Sequence, residues 1–282
     1  MKWLAPAKIN LSLRVLGRRE DGFHEIETLM VPLDLADEIV LEDTDTADAG
    51  GINLVCSDPT IPTGSGNLAY RAAEIFFSRL GRVPQPVRIV LTKHVPHGAG
   101  LGGGSSDAAT VLLALNERTR GGFSVGQLAE MAALLGSDVP FFVYRSAAIC
   151  RGRGERIEPT DFLHKLPLVL FKPSFPIPTP WAYQRWRDSR ELEGVLYNAQ
   201  RFLWGELVND LERPVFEKYL VLADLKTWLL AQPEVAGALL SGSGSTMFAV
   251  LRDSSTRADD LIDRARKNFG ELWTCVCASH IP

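Results

Sequence analysis

Residues 96–109 read PHGAGLGGGSSDAA, with glycine at 98, 100, 102, 103 and 104. No other stretch restricts the chain so tightly. Glycine loses more backbone entropy on folding than any other residue, so a run of it marks backbone that takes positive φ or lets something approach closely. A compact apolar strand pattern precedes it at residues 87–91, and the helical run ATVLLALNER follows it from Ala109, which argues against a flexible linker. Ser105, Ser106 and Asp107 are of the types that cap helix N-termini. A glycine loop running into a helix start offers unpaired N–H groups and the positive end of the helix dipole, and this suits phosphate.

The rest of the composition makes that site local. The chain has 282 residues, 46% hydrophobic and 23% charged, which fits one large or two medium globular domains. Lys and Arg total 30 against 34 Asp and Glu, a net charge of −4, so no broad basic field invites nucleic acid or a membrane surface. The start, MKWLAPAKINLSL, lacks the apolar core of a signal peptide, and no apolar run is long enough to span a bilayer. Cys56, Cys150, Cys275 and Cys277 show no metal-ligand spacing, so free thiols in a cytoplasmic protein without a protein-ligated metal are expected.

Ile9, Leu11, Leu13 and Val15 alternate with Lys8, Asn10, Ser12 and Arg14, a half-buried strand whose polar side reads as solvated. Asp21-Gly22 supplies a turn, and Phe23-His24 directly after it is either ordinary packing or a stacking platform. Residues 26–42 read as a strand pair around Pro32, and residues 43–66 as a loop with one short strand at Ile52–Cys56. Residues 67–80 read as a helix closed by Gly81, and residues 127–135 as a short helix closed by Gly136. Asp138 then stands at an element end, a position equally suited to a turn and to chemistry. Arg151, Arg153 and Arg156 form a local cationic loop. Six prolines between residues 158 and 180 place a domain boundary there, dividing the chain into 1–158 and 159–282. Trp181, Tyr183, Trp186 and the pair Asn209-Asp210 follow, then a helix over 216–231. Two apolar runs flank a second glycine turn within 239–251, before a helix over about 256–268 and a last strand.

Three phosphate chemistries fail on spacing. Gly98, Gly100 and Gly103 match the dinucleotide fingerprint in letters, but five residues separate them from the strand and no acid stands at 120–126 to meet a ribose. There is no GxxxxGK[ST], and no HRD precedes a DFG. PxGAGLGGGSSDAA is instead similar to the central motif of the GHMP kinases. APAKINLSL resembles the first motif of that family and LLSGSGSTMF its third, so the likeness runs over the whole chain. The blocks DGFHE, GSDVPFF and PIPTP resemble the branch with a cytidyl acceptor; mevalonate-type members lack DGFHE.

The resemblance implies an α+β, two-domain GHMP kinase fold, with an N-terminal ribosomal-protein-like βα domain, a C-terminal ferredoxin-like domain and the active site in the cleft between them. It implies ATP-dependent phosphorylation of the 2-hydroxyl of 4-diphosphocytidyl-2-C-methyl-D-erythritol, in the non-mevalonate route to isoprenoid precursors, with Mg2+ as companion ion. The protein is then a monomer or weak homodimer with a small-molecule partner. Lys8 and Asp138 match the family's catalytic pair. The implied triphosphate cradle runs over Pro96, Gly98, Ala99, Gly100, Leu101, Gly102, Gly103, Gly104, Ser105 and Ser106, with Ser106 toward Mg2+ and with Asn67 and Lys93 near the adenine. Asn10 would contact the methylerythritol. Phe23 and Tyr183 match the aromatic pair on cytosine, His24 would read its edge, and Arg153 would face the diphosphate. The family usually has tyrosine where Phe23 stands, so a contact through that hydroxyl is lost. Gly242 and Ser243, in the third motif, would close the site. The alternatives are a homoserine- or mevalonate-type kinase, or a non-catalytic nucleotide-binding module on the same scaffold.

Overall fold

The computed structural model describes residues 1–45, 51–81, 86–253 and 258–280. Two long antiparallel strands, β1 (Lys2–Arg18) and β2 (His24–Asp43), form its spine. The strand pair expected around Pro32 is one strand. Pro32 lies opposite Lys8 just after a register shift in β1, where the ladder absorbs a residue without donor. Strands β3 (Ile52–Cys56) and β4 (Val87–Thr92) extend the sheet on one side, and β5 (Ala148–Gly152) and β6 (Arg156–Pro159) continue it from the first half of β2. The expected cationic loop is therefore a hairpin. Arg151 is paired with Glu27 and Glu158, and Arg156 with Glu25.

Four helices cover one face of this sheet. They are α1 (Leu68–Leu80), α2 (Gly103–Thr119), α3 (Val125–Ala133) and α4 (Val139–Tyr144). Asn67 caps α1 by accepting from the N–H of Ala69, and Gly81 closes it at φ 68°. The cap of α2 differs from the expectation: Gly102, at φ 72°, precedes the helix, and Ser105, Ser106 and Asp107 lie inside its first turns. Apolar side chains from β1 to β4 and these helices form one core, including Ile39, Phe76, Leu112 and Phe141.

The second sheet contains β7 (Pro167–Lys172), β10 (Val235–Leu240), β11 (Met247–Leu251) and β12 (Trp273–Ala278), in the antiparallel order β10-β11-β7-β12. This is the strand order of a ferredoxin-like sheet. Its strands are apolar on both faces because both are covered. Val169 and Phe171 point to a core shared with α6 (Glu212–Lys218), α7 (Leu220–Leu230) and α8 (Ala258–Phe269), whereas Leu168 and Leu170 meet Ile9, Leu11 and Val31 of the first sheet. The helix expected over 216–231 is thus two helices, broken at Tyr219, and the last helix is described from Ala258 onward.

An unexpected element ties the halves together. After the short helix α5 (Thr179–Arg185), strands β8 (Gln200–Phe202) and β9 (Gly205–Asn209) form a hairpin, and β9 runs parallel to β1 at Ser12 and Leu13. Residues beyond the proline-rich segment therefore belong to the first sheet. Among the described residues no helix is long and apolar enough to cross a membrane.

Candidate active site

The polar side of β1 is not solvated. Lys8 is 4% and Asn10 1% exposed, and both open onto a cavity of about 850 Å³. Glycine loop, β1, the 21–24 turn, Asp138, α5 and the Gly242–Ser243 turn all line it. Of the residues singled out above, Lys8, Asn10, Phe23, His24, Asn67, Lys93, Pro96, Gly98, Ala99, Gly100, Gly102, Gly103, Gly104, Ser105, Asp138, Arg153, Tyr183, Gly242 and Ser243 line the cavity. Leu101 and Ser106 do not: Leu101 is packed in the core between the sheets, and Ser106 is fully buried with an Oγ that has no partner.

The Lys8 ammonium lies 3.3 Å from Oδ2 of Asp138 and donates to Oδ1 of Asn10 at 2.7 Å. Asp138 precedes α4 without capping it, which leaves its carboxylate toward Lys8. The Lys8 main-chain N–H donates to the Leu101 carbonyl at 2.9 Å, joining this pair to the glycine loop. The Cys150 thiol nearby is inert: burial, helped by the Asp138 charge, pushes it up to about 12.

Gly98, Gly100 and Gly102 have φ of 64°, 76° and 72°, a left-handed repetition that turns successive N–H groups into an anion-binding concavity. Gly103, Gly104 and Ser105 add the first turn of α2, whose N–H groups have no intrahelical acceptor. Side chains are excluded here for packing reasons too. A Cβ on Gly102 would stand 2.7 Å from the Phe142 ring and 3.0 Å from Lys8. The third motif locks onto this loop: the Ser241 hydroxyl donates to Gly100 O at 3.0 Å, and Thr246 N–H to Ala99 O at 3.2 Å. Asn209 holds that turn from below, donating to the carbonyls of Leu240 (2.8 Å) and Gly242 (2.7 Å).

Lys93 is not a free cation. Its ammonium is bound between Asp37 and Asp107, and Asp37 also accepts from the N–H of Val95 at 2.8 Å. Burial alone would lower the Lys93 pKa, but the two carboxylates outweigh it and hold it above the usual lysine value. Asp107 is pushed up to about 7, first by burial and then by the Asp37 charge, against the pull of Lys93. Asn67 is equally committed, to its cap and to the Pro62 carbonyl at 2.8 Å.

At the aromatic end, the His24 ring lies 5.5 Å from Tyr183 and 6.2 Å from Trp186. The Arg153 guanidinium sits 4.7 Å over the Phe23 ring. Burial, with Arg18 adding, keeps the His24 pKa below its ordinary value, so its ring is neutral near pH 7. Burial next to Asp138 keeps the Tyr183 hydroxyl protonated. Thr28 and Asp37 escape the sequence reading, and Asn209 is noted there without a role. Asp37, an acid inside a long strand pattern, and Asn209, beside an acid after an apolar pair, left weak signals; Thr28 left none.

The model of the GHMP kinases N terminal domain matches residues 67–146, and that of the GHMP kinases C terminal domain residues 189–271. A 4-diphosphocytidyl-2-C-methyl-D-erythritol kinase from Methylacidiphilum infernorum is 44% identical over 94% of this chain and 92% of that protein. One from Geobacter metallireducens is 41% identical over 87% of each. The crystal structure of a 4-(cytidine 5'-diphospho)-2C-methyl-D-erythritol kinase superposes with a TM-score of 0.77 at 37% identity, covering 99% of this chain and all of that one. Homoserine kinase from Cytophaga hutchinsonii, at 20% identity and a TM-score of 0.66, shares the fold. With a glycine cradle at a helix start, a lysine–aspartate pair beside it and a ferredoxin-like sheet closing over both, the chain belongs to the GHMP kinases, and its fold is their two-domain α+β architecture.

Proposed function

We propose that this protein transfers the γ-phosphoryl group of ATP to the 2-hydroxyl of 4-diphosphocytidyl-2-C-methyl-D-erythritol, a step toward isoprenoid precursors. The observation that carries the proposal is the position of the Lys8–Asp138 pair. On one side Lys8 abuts the glycine loop at Gly102; on the other, Asp138 abuts the hairpin turn at Gly154, next to Arg153 and its Phe23 platform. An acceptor with a flat base can stack by Phe23, His24 and Tyr183 and still bring a hydroxyl to Asp138. The relatives named for this substrate span nearly the whole chain.

Phosphoryl transfer asks a protein mainly for positioning and charge stabilisation. The N–H groups of Gly98 to Ser105 hold the triphosphate. Asp138 accepts a hydrogen bond from the acceptor hydroxyl and takes its proton as the new O–P bond forms and the bond to ADP breaks. Lys8, 3.3 Å from Asp138, balances negative charge on the attacking oxygen. Asp107 lines the cavity with a buried Oδ1 that has no donor. It is a hard oxygen ligand of the kind Mg2+ takes together with nucleotide phosphates, and an ion held there would neutralise charge on the transferred group.

Turnover of ATP with the cytidyl substrate, measured beside homoserine, mevalonate and galactose, tests the acceptor; preference for any of the last three refutes it. Asp138→Asn should retain ATP binding and lose on the order of 100-fold or more in kcat. Unchanged turnover in that variant removes Asp138 from the mechanism.

A further inference from the structure

We infer that Thr28 is a positioning residue for Lys8, acting through Asn10; this rests on Lys8 and Asp138 as the reacting pair. Thr28 lies in β2, fully buried, opposite Leu13 of β1 and Cys150 of β5. It reaches β1 where the ladder shifts register between Asn10 and Ser12. There its hydroxyl lies 2.6 Å from the Ser12 carbonyl, and the Asn10 amide nitrogen lies 2.7 Å from the same hydroxyl.

Donor and acceptor identity fix the direction of this chain of bonds. A main-chain carbonyl only accepts, so the Thr28 hydroxyl donates to Ser12. Its oxygen is then left as an acceptor, which selects the NH2 end of the Asn10 amide. The Asn10 carbonyl oxygen therefore faces Lys8 and accepts from the ammonium at 2.7 Å. An ammonium has three donors. Asn10 takes one, and Asp138 is ion-paired at 3.3 Å, leaving at least one donor for an oxygen in the cavity. Without the hydroxyl the Asn10 amide is free to reverse. Its NH2 then meets the ammonium, donor against donor, and Lys8 loses its seat. Gly242 faces the same pair: a Cβ there would stand 3.3 Å from Asn10 Oδ1 and 3.5 Å from the Lys8 ammonium. Thr28 touches neither the cavity nor the triphosphate cradle.

Thr28→Val keeps the shape and removes the hydroxyl; Thr28→Ser keeps the hydroxyl and removes a methyl. In Thr28→Val, kcat should fall about 10- to 100-fold, because a misplaced catalytic group costs that much. KM for ATP should stay within about twofold, since the triphosphate cradle keeps its glycine backbone. Thr28→Ser should return kcat to within about threefold of the parent. In a Lys8→Met background, Thr28→Val should cost less than about twofold, because the group it positions is gone. A general packing role predicts the reverse: Thr28→Ser as impaired as Thr28→Val, and the full loss repeated in Lys8→Met. Either result, or a kcat in Thr28→Val within about twofold of the parent, overturns the inference. If the valine variant does not fold, Thr28→Ala carries the same expectations. Full turnover in Lys8→Met or Asp138→Asn would instead overturn the reading of the reacting pair, whatever Thr28 does.

Discussion

Gly100→Ala should separate the glycine loop from the third motif while leaving the protein folded. Gly100 sits at φ 76°, where an L side chain costs about 1–2 kcal/mol. A Cβ there would meet the Ser241 carbonyl closer than any real carbon contact and the Gly244 carbonyl at 2.9 Å. Both obstacles are backbone, so the 241–246 turn has to retreat. It would then lose the bonds from Ser241 Oγ to Gly100 and from Thr246 N–H to Ala99, worth about 1 kcal/mol each. The combined loss is about 3–4 kcal/mol, within a typical stability of about 5–15 kcal/mol. Gly242 rides on that turn above Asn10 and Lys8, so a retreat of about 1 Å should lower kcat about 100-fold. Gly81→Ala is the control: its φ is 68°, yet nothing lies within 4 Å of the new Cβ, so it should show the backbone cost alone and full turnover. Thermal unfolding and steady-state kinetics on both variants decide the matter. Gly100→Ala matching Gly81→Ala in both would refute the reasoning.

Two further expectations concern charge. Lys93→Met leaves Asp37 and Asp107 buried without their ammonium, so denaturant unfolding should show a loss of about 3–5 kcal/mol, and a loss below about 1 kcal/mol would mean that the triad is not a unit. His24 has a depressed pKa in the folded protein, so its stability contribution is full above the usual 6.5 and is lost progressively as pH falls from there through the lower folded value, while the folded ring itself stays neutral down to that lower value. KM for the cytidyl substrate should accordingly be flat between about pH 8 and 6.5 and rise only on further acidification; a rise already complete at the ordinary histidine pKa would place a charged His24 at the base.

Much of the site was legible because its signals are local. Positive φ at Gly98, Gly100 and Gly102 restricts residue type regardless of tertiary context, so the glycine loop announces itself. Period two put Lys8 and Asn10 on one face of β1. Alternation cannot say what covers that face, so the bland reading made it solvated. The covering pieces, Asp138 and the Gly242 turn, come from residues more than 100 positions away. The same limit hid β8 and β9. Their three- and five-residue strands carry little pattern of their own; β9 is specified by pairing with β1, and β8 by pairing with β9. The 216–231 stretch has continuous helical periodicity, yet the chain leaves the helix at Tyr219, whose ring stacks on Phe175 at 5.1 Å. Asp37 left only a weak signal and Thr28 none for a further reason: each acts by satisfying a group on another strand or loop, and a lone polar residue within a strand pattern does not name its partner.

The cavity's charge balance explains why a glycine loop is needed at all. Three cations line it, Lys8, Lys93 and Arg153, and so do three carboxylates, Asp21, Asp107 and Asp138. Lys8 is matched by Asp138, and Lys93 by Asp107 with Asp37 behind it. Arg153 lies over Phe23 and 3.9 Å from Glu155. No side chain is left over to neutralise a triphosphate. On the proposed function, the chain's own attraction comes from backbone dipoles, which carry no net charge and need no counter-ion, with Mg2+ adding to it when bound. Such dipoles act only at short range, so the phosphates must come within hydrogen-bond distance of the main chain. A Cβ at Gly100 or Gly102 collides with neighbouring elements, while Gly104 has nothing nearer than Leu68 at 4.0 Å and opens to the cavity. The crowded glycines let the loop fold against β1, α4 and the third motif, and on the proposed function the open one lets the nucleotide reach the helix start. The glycine run is therefore two requirements in one stretch, close packing behind and close approach in front, and the ionic pairs around it fix the loop without competing for the phosphate.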